Sequence, residues 1–182
     1  MPPTSAISMP DRRADLRSRQ IHALVLPVTV VLVAPFLLVT SFNPFRLEVS
    51  LPLPLLQIFL GGLIVLFGLA LLVQTIRLFG QVGQGTLAPW DPPRRLVVQG
   101  VYRHVRNPMI SGVLFMLLGE AVGLGSPVLL AWFALFLLLN LVYIKLLEEP
   151  MLVRRFGQEY IEYRANVPMW FPRLKPWEPG SA

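Results

Sequence analysis

Apolar and polar positions along this chain fall into blocks. Four long apolar blocks, about residues 21–40, 55–79, 108–125 and 128–147, are parted by segments in which Arg, Asp, Glu, Pro and Gly gather. Neither the alternation of a half-buried strand nor the single stripe of a soluble amphipathic helix runs through them, so each predicts a helix that is apolar all round. Ile21 to Thr40 holds no residue charged at neutral pH over twenty positions. At about 1.5 Å per residue that crosses a hydrocarbon layer of roughly 30 Å. Pro27 and Pro35 predict kinks within it. The pattern predicts an all-α integral membrane protein with about four transmembrane helices, forming one membrane domain over 21–182 behind a polar tail, 1–20.

The segments between the blocks carry their own signals. Ser41 to Pro54 contains Asn43-Pro44, Pro52 and Pro54 and reads as a connector. Gly80 to Gly100 is a longer polar loop with Trp90, Asp91 and the Arg94-Arg95 pair, long enough to point to a functional or interfacial segment. Ser126-Pro127 marks a tight turn that makes the third and fourth blocks a hairpin. Gly61, Gly62 and Gly68 put small residues seven apart on one face and Gly119 and Gly123 stand four apart, where neighbouring helices can approach closely. Beyond the last block, Glu149, Phe156 and Tyr163 recur at seven, as do Val153 and Tyr160. That spacing predicts one C-terminal amphipathic helix over Glu148 to Arg164 with these side chains on one stripe. The tail after Val167-Pro168 adds Trp170, Phe171 and Trp177, aromatic residues suited to a membrane interface.

Composition agrees with this picture and narrows the chemistry. The chain is 54% hydrophobic and 14% charged, against about a quarter charged in soluble domains. It has no Cys, which excludes disulfides, thiolate metal sites and Cys nucleophiles. With His22 and His104 as the only histidines, a zinc or di-iron centre would draw nearly all its ligands from carboxylates, so no metal site is expected. The net charge of +6 raises nucleic-acid binding as a possibility, but the basic residues flank apolar blocks, so no nucleic acid is expected. With four spans, all of the 16 Lys and Arg residues but Arg46 fall on one side. That asymmetry predicts cytoplasmic N and C termini in a multi-pass protein of a membrane such as the bacterial inner membrane.

The same topology returns two polar clusters to one face. Gly100 to Gly112 turns a basic loop holding Tyr102, Arg103, His104, Arg106 and Asn107 into an apolar block, and Glu148, Glu149, Arg154 and Arg155 follow one hydrophobic hairpin later. Arg can clamp a carboxylate or phosphate, and Glu can hold an ammonium or paired ribose hydroxyls, so a zwitterionic nucleoside ligand would use both. The competing structural reading is that Arg106 and Lys145 anchor helix ends and that the later charges form a solvated helix face. Glu120 is an acid inside the third block and a functional candidate by position. It lies about 18 Å along a helix from Pro108, which favours a structural role.

Order and spacing shift the balance between these. Gly100-x-Tyr102-x-x-x-Arg106-Asn107-Pro108, followed by Gly112, then Glu148-Glu149-Pro150-x-Leu152-x-x-x-Phe156-Gly157-x-x-Tyr160-x-x-Tyr163 and Val167-Pro168, resembles the isoprenylcysteine carboxyl methyltransferase family, whose kin include membrane phospholipid methyltransferases. The resemblance covers roughly Gly83 to Pro172. It implies an S-adenosylmethionine-dependent methyltransferase embedded in a membrane, with a cofactor pocket near the cytoplasmic surface. Carried over by position, Tyr102, Arg106, Asn107, Pro108, Glu148, Glu149, Tyr160 and Tyr163 are its cofactor-binding candidates. The chain departs from the family at Asn107, where His is frequent, at Ile110, where Tyr is usual, and at Met169, where a basic residue is common.

Methyl transfer from a sulfonium is an in-line displacement that mainly needs alignment and exclusion of water. A carboxylate acceptor is already ionised and could be positioned by Arg106 or Arg154. An amine must lose a proton, for which Glu148 or His104 is placed. Arg106 and Glu148 are therefore the catalytic candidates, and the expected acceptor is a lipid head group or a prenylated small molecule. Two other classes share the sequence features: a membrane reductase of similar architecture using a nicotinamide cofactor, and a non-catalytic membrane protein.

Overall fold

The computed structural model describes residues 27–42, 53–82 and 96–178. Within them the regular structure is helical and no strand occurs. In chain order the elements are α1 (Thr29–Phe42), α2 (Leu53–Val82), a 3₁₀ turn (Gly100–Arg103), α3 (Pro108–Leu124), α4 (Pro127–Phe156) and α5 (Gln158–Asn166). The polar tail, residues 21–26 of the first predicted span, the connector around Arg46 and the loop with Trp90, Arg94 and Arg95 lie outside the described residues.

Two helices, α2 over Pro54–Leu78 and α4, are long and apolar enough to cross a membrane; α1 and α3 are shorter apolar helices. Only 22% and 11% of the apolar windows in α2 and α4 are buried against the rest of the chain, whereas the core helix of a soluble protein would be mostly buried. Instead Leu135, Leu138, Leu139, Leu146 and Leu147 of α4 point outward.

Both α1 and α4 run through a proline by the same device. A π turn, Thr29–Val33 in α1 and Ile144–Glu148 in α4, ends two residues before Pro35 or Pro150. In each, the residue just before the proline donates its amide five residues back, Ala34 to Thr29 O and Glu149 to Ile144 O. Proline has no N–H and its ring presses on the carbonyl four residues earlier, so widening the turn lets the helix continue. In that register Pro35 would be the donor to the Val30 carbonyl and cannot be. Trp132 Nε1 of α4 donates to that carbonyl instead, at 3.2 Å. A cluster of Val31, Val113 and Leu117 packed by Trp132, Phe133 and Phe136 completes the α1 contact.

The same device moves one predicted boundary. The fourth span was expected to end near Leu147, but α4 continues to Phe156. A second correction concerns the amphipathic helix expected over Glu148 to Arg164, which is broken at Gly157 (φ +57°, ψ −131°). That backbone conformation strongly favours glycine. α5 therefore leaves at a new angle, and Tyr160 and Tyr163 meet Val153 and Phe156 across the break.

α2 and α3 are antiparallel and nearly touch along their backbones. A Cβ on Gly68 would stand 2.5 Å from the Gly112 carbonyl oxygen, and one on Gly119 2.6 Å from the Gly61 oxygen. In lipid no hydrophobic term drives helices together, so this approach stabilises the pair through dispersion. Gln57 Nε2 adds a hydrogen bond to the Val122 carbonyl at 2.8 Å. At the next turn Ser126 caps α4, its Oγ accepting from Leu129 N at 3.4 Å, with Pro127 in the first turn. The antiparallel pairing brings the end of α2, the start of α3 and the end of α4 to one side of the molecule.

Gly68→Ala should separate α2 from α3 and lower stability by about 1–3 kcal/mol. Gly62, where an added Cβ meets nothing within 4 Å, should tolerate Ala with a gain of up to about 1 kcal/mol. Unfolding in mixed micelles followed by circular dichroism compares the two. A Gly68→Ala protein as stable as the parent would contradict the backbone contact.

Candidate functional site

The site begins where the chain enters α3. The 3₁₀ turn buries Val101, and Val105 beyond it is fully enclosed, so the loop is fixed before it reaches Arg106. Pro108 occupies the first helical turn, where its missing N–H leaves no bond unmade. Asn107 immediately precedes that turn, with no capping hydrogen bond from its side chain. The Arg106 amide donates to the Pro168 carbonyl at 2.9 Å, tying this loop to the chain beyond α5.

Arg106 Nη1 then donates to Glu149 Oε1 at 2.7 Å, and these side chains are only 10% and 8% exposed. Tyr160 OH lies 3.5 Å from the same Nη1. Arg164 Nη1 reaches the other Glu149 oxygen at 3.3 Å. Two cations thus share one buried carboxylate, and Arg106 Nε is buried with no hydrogen-bond partner among the described residues. The Ser111 hydroxyl, one turn into α3 on the Asn107 face, is buried and unpartnered in the same sense. Half-buried Glu148 is near enough to Arg106 and Glu149 to interact with both charges.

Tyrosines wall this ion pair. Tyr163 OH donates to the Tyr102 backbone carbonyl at 2.7 Å, and Tyr160, Tyr163, Val167 and Trp177 form a buried cluster. Burial pushes the Tyr102 and Tyr163 hydroxyls up from their ordinary range, with Glu148 adding to the effect on Tyr102 and Tyr102 adding to that on Tyr163. Burial also raises Tyr160, against the opposing pull of Arg106. All three are neutral hydrogen-bonding groups at physiological pH and none can act there as a base.

The structure brings Arg106, Glu149 and Tyr160 into direct contact and sets Tyr102, Asn107, Pro108, Glu148 and Tyr163 around them. Arg154 and Arg155, grouped with the site from sequence, are exposed, and Arg155 lies over the Phe156 ring at 5.6 Å. His104 is 2.7 Å from the Arg173 carbonyl through Nδ1. A carbonyl only accepts, so this nitrogen carries the proton, and the ring acts as a tether. Glu120 lies thirteen residues past Asn107, about 20 Å up α3. Sequence reasoning did not single out Arg164 or Arg173. Trp177 was read there as an interfacial aromatic, but it is buried in the tyrosine cluster.

The sequence pattern of the family described as phospholipid methyltransferase matches residues 56–159, more than half of the chain. The chain belongs to that family. It is also 35% identical over 82 residues to protein-S-isoprenylcysteine O-methyltransferase B of Arabidopsis thaliana, a match covering 43% of this chain and 40% of that protein. The chain therefore spans about two-fifths of the length of this curated relative. No solved structure matches. The family match takes in the loop with Arg106, both glutamates and the start of α5, so the buried ion pair belongs to the family segment.

Removing one partner of the buried pair strands the other. Arg106→Ala should destabilise by about 3–5 kcal/mol, and the double variant Arg106→Met/Glu149→Leu should recover much of that loss. Tyr163→Phe should cost about 1 kcal/mol through the Tyr102 carbonyl. Detergent unfolding midpoints of the single and double variants test this, and additive losses at Arg106 and Glu149 would contradict the pairing.

Proposed function

We propose that this chain is a membrane methyltransferase that uses S-adenosylmethionine and methylates an acceptor carried on a lipid or prenyl group. The observation that carries this reading is the buried Arg106 Nε, a charged donor with no partner among the described residues. A buried guanidinium N–H is costly unless an acceptor meets it, and the carboxylate of a bound amino-acid group is such an acceptor. Half-buried Glu148 suits the ammonium or ribose hydroxyls of the same ligand, and Ser111 and Asn107 offer further hydrogen-bonding groups on the α3 side. The residues present therefore fit S-adenosylmethionine, which supplies an electrophilic methyl group on a sulfonium.

The chain's own contribution is alignment and exclusion of water. Glu149 holds Arg106 in place from one side and the Pro168 carbonyl fixes its backbone from the other. The tyrosines pack the wall and stay protonated. A carboxylate acceptor needs no base, and the partly exposed Arg164 can orient it. An amine acceptor would hand its proton to Glu148, the carboxylate not committed to an ion pair. The relative named as an isoprenylcysteine O-methyltransferase supports the first and the phospholipid methyltransferase family the second. Four spans with the site on the cytoplasmic face complete the proposal, supported by the run of basic residues on the side where α2, α3 and α4 converge.

Titration calorimetry of the full chain in detergent with S-adenosylhomocysteine should show saturable binding, and NADPH should give none. Glu148→Gln should weaken the product's binding by about 10- to 100-fold, the loss of one charge-assisted hydrogen bond, while Glu120→Gln should leave it near the parent value. A folded protein that bound NADPH and not S-adenosylhomocysteine would replace this reading with the reductase one.

A further inference from the structure

We infer that the C-terminal strap, residues 168–178, is seated in the lipid bilayer and thereby clamps the loop that carries Arg106. The strap is bonded to that loop at both ends and in the middle. Arg106 N donates to Pro168 O, Arg173 N to His104 O and Trp177 N to Arg103 O, each at 2.9 Å. His104 Nδ1 returns a bond to the Arg173 carbonyl, and Arg103 Nε returns one to the Trp177 carbonyl. Buried Trp177 and the Arg103–Glu178 ion pair fasten the far end.

Between these pins the strap turns two large apolar side chains outward, Phe171 at 73% exposure and Leu174 at 98%. Phe171 is not at the polar edge of the helices. Its ring meets Phe115 edge-on at 5.9 Å, and Phe115 meets Phe67 at 4.9 Å. Phe115 is seven residues past Pro108, about 10 Å along α3, and Phe67 is near the middle of the apolar stretch Pro54–Leu78. The strap therefore hangs alongside α2 and α3 at a level where those helices face hydrocarbon, and an exposed Phe171 there faces it too. Lys175, exposed beside Leu174, can extend back to lipid phosphates. Arg173 does not compete for that role, because its Nη1 donates to the Asn166 carbonyl. The occupant that fits is bilayer lipid, with acyl chains against Phe171 and Leu174 and head groups at Lys175. Extraction of the strap would release the three amide bonds that hold residues 103–106. The clamp does not depend on the methyl donor.

Because the chain has no Cys, Phe171→Cys, Leu174→Cys and, on the exposed face of α5, Glu162→Cys each give one site for a nitroxide label. The full-length variants are reconstituted in vesicles of phosphatidylcholine and phosphatidylglycerol, and collision with oxygen is compared with collision with a water-soluble nickel chelate. Labels at 171 and 174 should favour oxygen, and the label at 162 the chelate. Chelate access at 171 and 174 equal to that at 162 would overturn the insertion, and exclusion of both reagents would overturn it in favour of a protein partner. Leu174 touches too little within the chain for its replacement to unfold it, so Leu174→Asp tests the clamp. Amide hydrogen exchange across 103–106 and 173–177 should rise several-fold in the same vesicles. Unchanged exchange there would overturn the coupling.

Discussion

Arg106 and Glu149 form a charged pair taken almost entirely out of water, and the rest of the site follows from what that requires. A buried guanidinium and a buried carboxylate each carry a large desolvation cost, offset only by close geometry and further hydrogen bonds. The chain supplies both. Arg106 comes from the turn before α3 and Glu149 from a helix that starts at Pro127 on the opposite side, so the pair exists only if the whole α3–α4 hairpin is in register. That register depends on the glycine contact of α2 with α3 and on the Ser126 cap. The ion pair thus links long-range helix packing to the local position of one donor, Arg106 Nε, which is buried with no partner among the described residues.

Prolines usually end helices, yet here two of them coincide with π turns inside helices that continue. The consequence is functional in α4. Had the helix stopped at Leu147, Glu148 and Glu149 would sit on a loop whose side chains average over many rotamers. Continuation through Ile144–Glu148 keeps both carboxylates on a rigid element, and a widened turn changes the angular spacing between residues on either side of it. Glu149 is turned in to Arg106 while its neighbour stays half-buried beside it. Two adjacent acids with different degrees of burial give one paired, buried carboxylate and one half-buried carboxylate from a single dipeptide.

Much of this was legible in the sequence because the signals were local. Apolar blocks, the Ser126-Pro127 turn and Pro108 at a helix start place α2 and α3 nearly where they lie and give the start of α4, and the spaced motifs pick out Arg106 and the two glutamates. What escaped was non-local or depended on one backbone angle. The break at Gly157 hid Arg164, because counting from Glu149 along an unbroken helix does not bring residue 164 back to the same carboxylate. The strap has no periodicity to read. Its contacts are backbone bonds between residues some seventy positions apart, so nothing in the sequence singles out Arg173. For the same reason the bond that fixes the His104 ring, from Nδ1 to the Arg173 carbonyl, leaves no trace in the sequence pattern.

These constraints narrow the chemistry the site can perform. Tyr102, Tyr160 and Tyr163 are held neutral by burial, and Glu149 is shared between two arginines. Among the described residues at the site, Glu148 is the remaining carboxylate able to take up a proton. A reaction that needed a strong base would find few candidates, whereas a displacement between a charged donor and an ionised acceptor needs none. The arrangement invests instead in holding groups still: a backbone fixed at Pro168, a side chain fixed at Glu149, and the hydroxyls of Tyr160 and Tyr163 bonded within the chain. Preorganised donors of this kind act without reorganising during reaction. On the reading proposed above, a site walled by membrane helices would select its acceptor by the apolar group that brings it to the bilayer.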